Sequence, residues 1–137
     1  MKLIQTICCA ALLAAGRAGA ADLTIHIDDV KTAGGKIEVA LYNSAGAFLK
    51  TAVGAASTAA AKAANTVVLK DLPAGEYAFA VFHDANSNDK LDKNLLGIPT
   101  EDYAFSNNAL GKMGPPSYDS ARFTLPAAGA TMRVSLR

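Results

Sequence analysis

The chain has only two cysteines in 137 residues, and both, Cys8 and Cys9, fall within its first twenty. Beyond that segment no thiol can form a disulfide or act as a nucleophile, so the fold must be held by its apolar core, aided at most by a metal. After residue 20 no apolar run is long enough to span a bilayer. Charge of one sign is also lacking. Taking Lys2 and Arg17 from the 13 basic residues leaves 11 against 12 acidic ones, a net charge of −1. With no basic patch interleaved with aromatics, nucleic acid is not an expected partner. Catalytic signatures are missing too: the chain contains no H-E-x-x-H, no G-x-S-x-G, no P-loop and no G-x-G-x-x-G.

The first twenty residues read as a secretory signal peptide. Lys2 supplies a positive start, Leu3 to Ala15 an apolar run too short to cross a membrane, and Ala18-Gly19-Ala20 a small-residue cleavage site. Much of the apolar run follows Cys8 and Thr6-Ile7 precede it, so neither cysteine sits in a lipobox. The expected location is periplasmic or secreted. Residues 21–137 then form one domain with one core, read as a monomer.

Strand patterns are clear at both ends of that domain. Leu23, Ile25 and Ile27 alternate with polar residues, as do Ile37, Val39 and Leu41 after the turn Lys31-Thr32-Ala33-Gly34-Gly35, and the pair reads as a β-hairpin. The Ala-rich stretch 51–64 carries no amphipathic stripe. It fits a weak edge strand or a short helix, and the interruptions at Gly54, Ser57 and Thr58 favour the strand. Thr66 to Lys70 is a further strand. After the turn Leu72-Pro73-Ala74-Gly75, Glu76 to Phe82 is apolar on both faces, the mark of a central strand covered on each side. Ala121 to Leu125 and Thr131 to Arg137 alternate again and read as a closing hairpin. Short strands with almost no helix predict an all-β fold, an antiparallel sandwich of about seven strands of immunoglobulin-like or prealbumin-like type.

One long loop, 83–120, interrupts this rhythm. Loops of that length are commonly functional or disordered. Leu91, Leu95, Leu96, Ile98, Tyr103, Phe105, Met113 and Tyr118 can pin it to the sandwich, so it is expected to be ordered.

Its first part, His83-Asp84-Ala85-Asn86-Ser87-Asn88-Asp89-Lys90-Leu91-Asp92, places oxygen-bearing side chains at alternate positions, as loops that wrap Ca2+ do. On an EF-hand-like template Asp84, Asn86 and Asn88 take positions 1, 3 and 5. Lys90 offers its carbonyl at position 7, Asp92 takes position 9, and Leu91 serves as the apolar anchor at position 8. Position 6, usually Gly, is Asp89, which tolerates a left-handed backbone better than most residues. Position 12, usually Glu, is Leu95, so a further ligand has to come from Glu101, Asp102, Asn94 or water. The expected metal set is Asp84, Asn86, Asn88, Lys90, Asp92 and Glu101. With few charges, such a site should bind calcium in the ~10⁻⁴ to 10⁻³ M range. The competing reading is that these residues only form Asx-turns in a solvated loop.

Two other roles fit the same region. Tyr103, Phe105, Tyr118, Asn107 and Asn108 could line a pocket for a small molecule or glycan, or simply fasten the loop. His83 could act as a base in a hydrolase with Glu101 or Asp102, or share a transition metal with His26, although a strand-end histidine is more often a structural hydrogen-bonding residue. The partner is accordingly an unidentified protein or small molecule.

The run from Leu72-Pro73-Ala74-Gly75-Glu76-Tyr77 through His83-Asp84-Ala85-Asn86-Ser87-Asn88 to Leu96-Gly97-Ile98-Pro99-Thr100-Glu101 resembles an uncharacterised bacterial exported family, domain of unknown function 2141. Tyr103-Ala104-Phe105-Ser106-Asn107-Asn108 and Gly114-Pro115-Pro116-Ser117-Tyr118-Asp119 resemble it as well. The chain departs from that pattern at Asp89 and Ala104, where the family usually has Gly. The family has no assigned activity. Its L-x-x-G-x-Y turn is similar to those of prealbumin-like and carboxypeptidase-regulatory-like sandwiches, and this similarity implies a sandwich in which D-x-N-x-N-G-x-x-D loops bind calcium.

Overall fold

Alternation becomes strand wherever a one-sided apolar stripe can be buried, and eight strands are described in the computed structural model, which covers residues 21–96 and 99–137. They are β1 (Ala21–Val30), β2 (Lys36–Tyr42), β3 (Gly54–Ala59), β4 (Ala63–Leu72), β5 (Gly75–Asp84), β6 (Tyr103–Phe105), β7 (Phe123–Leu125) and β8 (Ala130–Ser135). The expected signal peptide, with both cysteines, and the expected anchor Ile98 lie outside the described residues. No helix among the described residues is long and apolar enough to cross a membrane.

Two sheets face each other. One runs β4-β1-β8 and the other β3-β2-β5-β6, with β7 also paired to β5. β6 and β7 share one edge of β5, β6 along Ala80 to Phe82 and β7 along Gly75 to Tyr77. The fold is thus the all-β sandwich expected, with two corrections in how its strands are joined. β1 and β2 are not a hairpin, because the turn at 31–35 carries the chain from one sheet to the other. β7 and β8 likewise lie in different sheets. The reason is burial. Leu23, Ile25 and Ile27 need a facing layer, and Ile37, Val39 and Leu41 supply it from across the sandwich rather than from alongside. The sandwich is also not wholly antiparallel, since β1 and β8 pair in parallel, with Ile25 opposite Met132 and Ile27 opposite Val134. Parallel neighbours need a long crossover, which the rest of the fold provides.

The main core fills the space between the sheets, with Phe79, Leu23, Ile25, Ile37 and Leu41 fully buried. Each such side chain contributes roughly 1.5–3 kcal/mol. A second cluster lies on the outer face of β5 and explains its two apolar sides. There Ala78 is covered by Tyr42, Phe48, Phe105, Tyr118 and Ala121. Phe48 sits at its centre, edge-on to Tyr42 at 5.4 Å and to Tyr118 at 5.8 Å. Ser106, completely buried, stitches this layer down. Its Oγ accepts the Phe79 N–H at 3.0 Å and donates to the Ala121 carbonyl.

The described residues of the long loop build β6, a 3-10 turn at Ser106–Asn108 and a short helix α1 at Tyr118–Ala121. Only part of the expected pinning occurs. Phe105 and Tyr118 are buried and Leu91 and Tyr103 partly so, whereas Leu95, Leu96 and Met113 face outward.

Candidate metal-binding loop

β5 ends in two buried polar residues, His83 and Asp84. His83 Nε2 donates to the Gly34 carbonyl at 2.6 Å, and the His83 N–H donates to the Asp102 carbonyl at 2.9 Å. The 31–35 turn is thereby clamped to the start of the loop. Its approach is so close that it requires glycine: Gly35 has φ +66, and a Cβ there would lie 2.0 Å from the Asp84 carbonyl oxygen.

Asp84 sets the loop's shape. One carboxylate oxygen accepts the Asn88 N–H at 3.1 Å and the other the Asp89 N–H at 2.7 Å, while its carbonyl accepts from Ser87 at 3.2 Å. These bonds turn the chain back on itself and require left-handed backbone at Ser87 (φ 55) and Asp89 (φ 62). Asp89 thus adopts the conformation expected of the usual glycine. Asp92 sits between two amides, with Asn86 Nδ2 donating to one oxygen at 2.6 Å and Asn88 Nδ2 to the other at 2.7 Å. Glu101 bridges both ends of the loop, accepting the Ala85 and Asp92 N–H groups, each at 2.9 Å.

Asp84, Asn86, Asn88, Asp92 and Glu101 therefore belong to one hydrogen-bonded network. Lys90 joins it through its N–H, which Asn88 Oδ1 accepts at 3.0 Å. Among the reserve ligands, Asn94 Oδ1 accepts the Leu96 N–H, and Asp102 turns away to pair with Lys31 at 3.1 Å. Glu101 and Asp102 thus point apart. The donor set suits a hard cation: it is all oxygen, and a carboxylate oxygen holding one N–H keeps a further lone pair for a metal. Asn86 and Asn88 present their NH₂ groups to Asp92, and a half-turn of each amide would present the oxygens instead.

A second acidic grouping adjoins the first and was not anticipated. Ligand oxygens of Glu38, Asp84 and Asp89 lie within 4.8 Å of one another. Lys36 occupies its edge, bonded to Asp89 and, at 3.1 Å, to Glu38. These two partners push the Lys36 ammonium up to about 12. The Lys36 contact holds the Asp89 carboxyl below its ordinary value, whereas partial burial raises that of Glu38. Alternation along β2 does put Lys36 and Glu38 on one face. Their meeting with the loop, however, depends on the β2–β5 register, in which Lys36 lies opposite Asp84.

The other candidates are engaged elsewhere. His26 Nδ1 pairs with Thr66 Oγ1 at 2.9 Å in the three-stranded sheet, away from His83 in the five-stranded one. Asn107 donates to the Arg122 carbonyl at 2.9 Å, Asn108 accepts from Ser135 at 3.0 Å, and Tyr118 belongs to the second cluster. These three residues fasten the loop.

No curated protein and no solved structure matches the chain. A family model does, from Ile25 in β1 to Arg133 in β8, a span that takes in both sheets and the whole polar loop. The chain belongs to the bacterial family described as Uncharacterized protein conserved in bacteria (DUF2141).

Proposed function

We propose that the chain is an exported, non-enzymatic β-sandwich module whose 84–101 loop binds calcium, and that it serves a binding or accessory role outside the cytoplasm. The grip of the Asn86 and Asn88 amides on the Asp92 carboxylate carries this reading. The side chains of Asn86, Asn88 and Asp92 are drawn to one focus, with Asp84 and Glu101 holding the backbone around them. A calcium ion at that focus takes the place of the two N–H donors, with the amides turning their oxygens inward. Export is supported by the charged start, apolar run and small-residue cleavage pattern of residues 1–20.

The absence of catalysis is supported by how the hydrolase candidates are used. The His83 ring is bound to a backbone carbonyl, and both Glu101 oxygens are bound to backbone amides. The test is a calcium titration of the protein followed by isothermal calorimetry and thermal melting, repeated on Asp92→Ala. Saturable binding lost in the variant supports the reading. Heat and melting curves that ignore calcium would leave only a hydrogen-bonded turn.

A further inference from the structure

The outer face of the five-stranded sheet carries a cavity of about 650 Å³. Small-molecule sites run from roughly 300 to 1,000 Å³. Tyr103 and Phe105 of β6 form part of its lining, together with Leu49, Met113 and Pro115, and Lys93 is the lining residue with a charge.

Three features mark this cavity as more than a fold in the surface. First, large aliphatic side chains that could have joined the second cluster stay in water around it: Leu49 is 38% exposed, and Leu96 and Met113 are almost wholly so. Apolar groups left in one place on a surface indicate something that covers them. Second, two of the lining residues are held in left-handed backbone, Leu49 at φ 60 and Met113 at φ 55. For bulky side chains this conformation costs about 1–2 kcal/mol each, and such strain gathers at ligand clamps. Third, the lining holds one charged side chain, the cation Lys93, and no Asp or Glu. Lys93 has no carboxylate at ion-pair distance among the described residues, so its charge is left for a ligand.

We propose that the cavity binds one small anionic amphiphile, a molecule with an apolar body and a single carboxylate or sulfonate that meets Lys93. The concavity and its size fit one molecule of this kind, and the single lining cation fits one anion. The unbranched methionine side chain adapts to an apolar body without demanding a particular shape. The site does not depend on the calcium reading, and it can be probed in chelator.

The experiment titrates the protein in EDTA with 8-anilinonaphthalene-1-sulfonate and competes the bound probe with decanoate or decanol. Far-UV circular dichroism and melting curves confirm that every variant is folded. Expected are one saturable site per chain, displacement by decanoate at a concentration about tenfold below that of decanol, and about tenfold weaker binding in Lys93→Glu, the scale of one charge-assisted contact. Lys93→Arg retains binding, and Met113→Asp loses it. Non-saturable fluorescence, or affinity unchanged in both Lys93→Glu and Met113→Asp, overturns the proposal. So does sedimentation with phosphatidylglycerol vesicles by a protein that binds neither probe nor decanoate, which would assign this face to a membrane surface.

Discussion

Gly35 and Asp84 are packed so closely that no side chain fits between them: a methyl on Gly35 would stand 2.0 Å from the Asp84 carbonyl oxygen. The turn between the sheets and the root of the polar loop thus form one unit. Gly35→Ala combines that clash with a left-handed φ, so a loss of about 3 kcal/mol or more is expected in urea denaturation. Gly34→Ala, whose new methyl meets nothing within 4 Å, should change stability by no more than about 0.5 kcal/mol.

Calcium at ten to a hundred times its dissociation constant should stabilise the fold by about 1.4–2.7 kcal/mol. For a domain of this size that is a rise of roughly 5–10 °C in melting temperature. EGTA should reverse the shift, and Asp92→Ala should abolish it. Scanning calorimetry at several calcium concentrations is the measurement.

Ser106→Ala should cost about 1–3 kcal/mol, because it strands the Phe79 N–H and the Ala121 carbonyl without water. Chemical denaturation reads the loss. A change below about 0.5 kcal/mol would mean that this hydroxyl does not hold the outer layer.

The Lys36 pairing predicts alkaline sensitivity. Its ammonium is raised from 10.5 to about 12 by Asp89 and Glu38, so the stabilisation is fully present below 10.5 and lost as pH rises through about 12. Burial raises Tyr42, Tyr77 and Tyr118 as well, and they lose stability on the same side. The readout is therefore the difference in melting temperature between the wild type and Lys36→Gln, which should shrink above pH 10.5. On the acid side Asp89 is depressed, so its contribution is present above its ordinary value and lost as pH falls through the lower folded one. Glu38, raised by partial burial, runs the other way.

Period-two alternation revealed the strands, because burying one face of a sheet leaves that mark directly in the residues. The two apolar faces of β5 foretold cover on both sides, and Phe48, Phe105 and Tyr118 provide it. Alternation did not reveal which strands are neighbours. Leu23-Ile25-Ile27 and Ile37-Val39-Leu41 present the same stripe whether they lie side by side or face each other across a core. The ladder between β1 and β8 escaped for the same reason. In the loop, Asx chemistry is local, so Asp84, Asn86, Asn88 and Asp92 could be read from spacing. Glu101 entered only as one of several candidates, while Lys36 and Glu38 depended on a strand register that spacing does not encode. Nor could composition tell that Leu96 and Met113 point away from the sandwich while Phe105 points in.

The parallel placement of β8 beside β1 has a mechanical consequence. Arg133 reaches back 105 residues to grip Asp28, and six backbone positions are aligned along the two strands. A tug on Ala21 and Ser135 in opposite directions would load that ladder in shear, with its rungs sharing the strain together. An antiparallel pair pulled from the same end would instead peel open one rung at a time. Stretched between those two points, the domain should behave as a stiff link that yields abruptly.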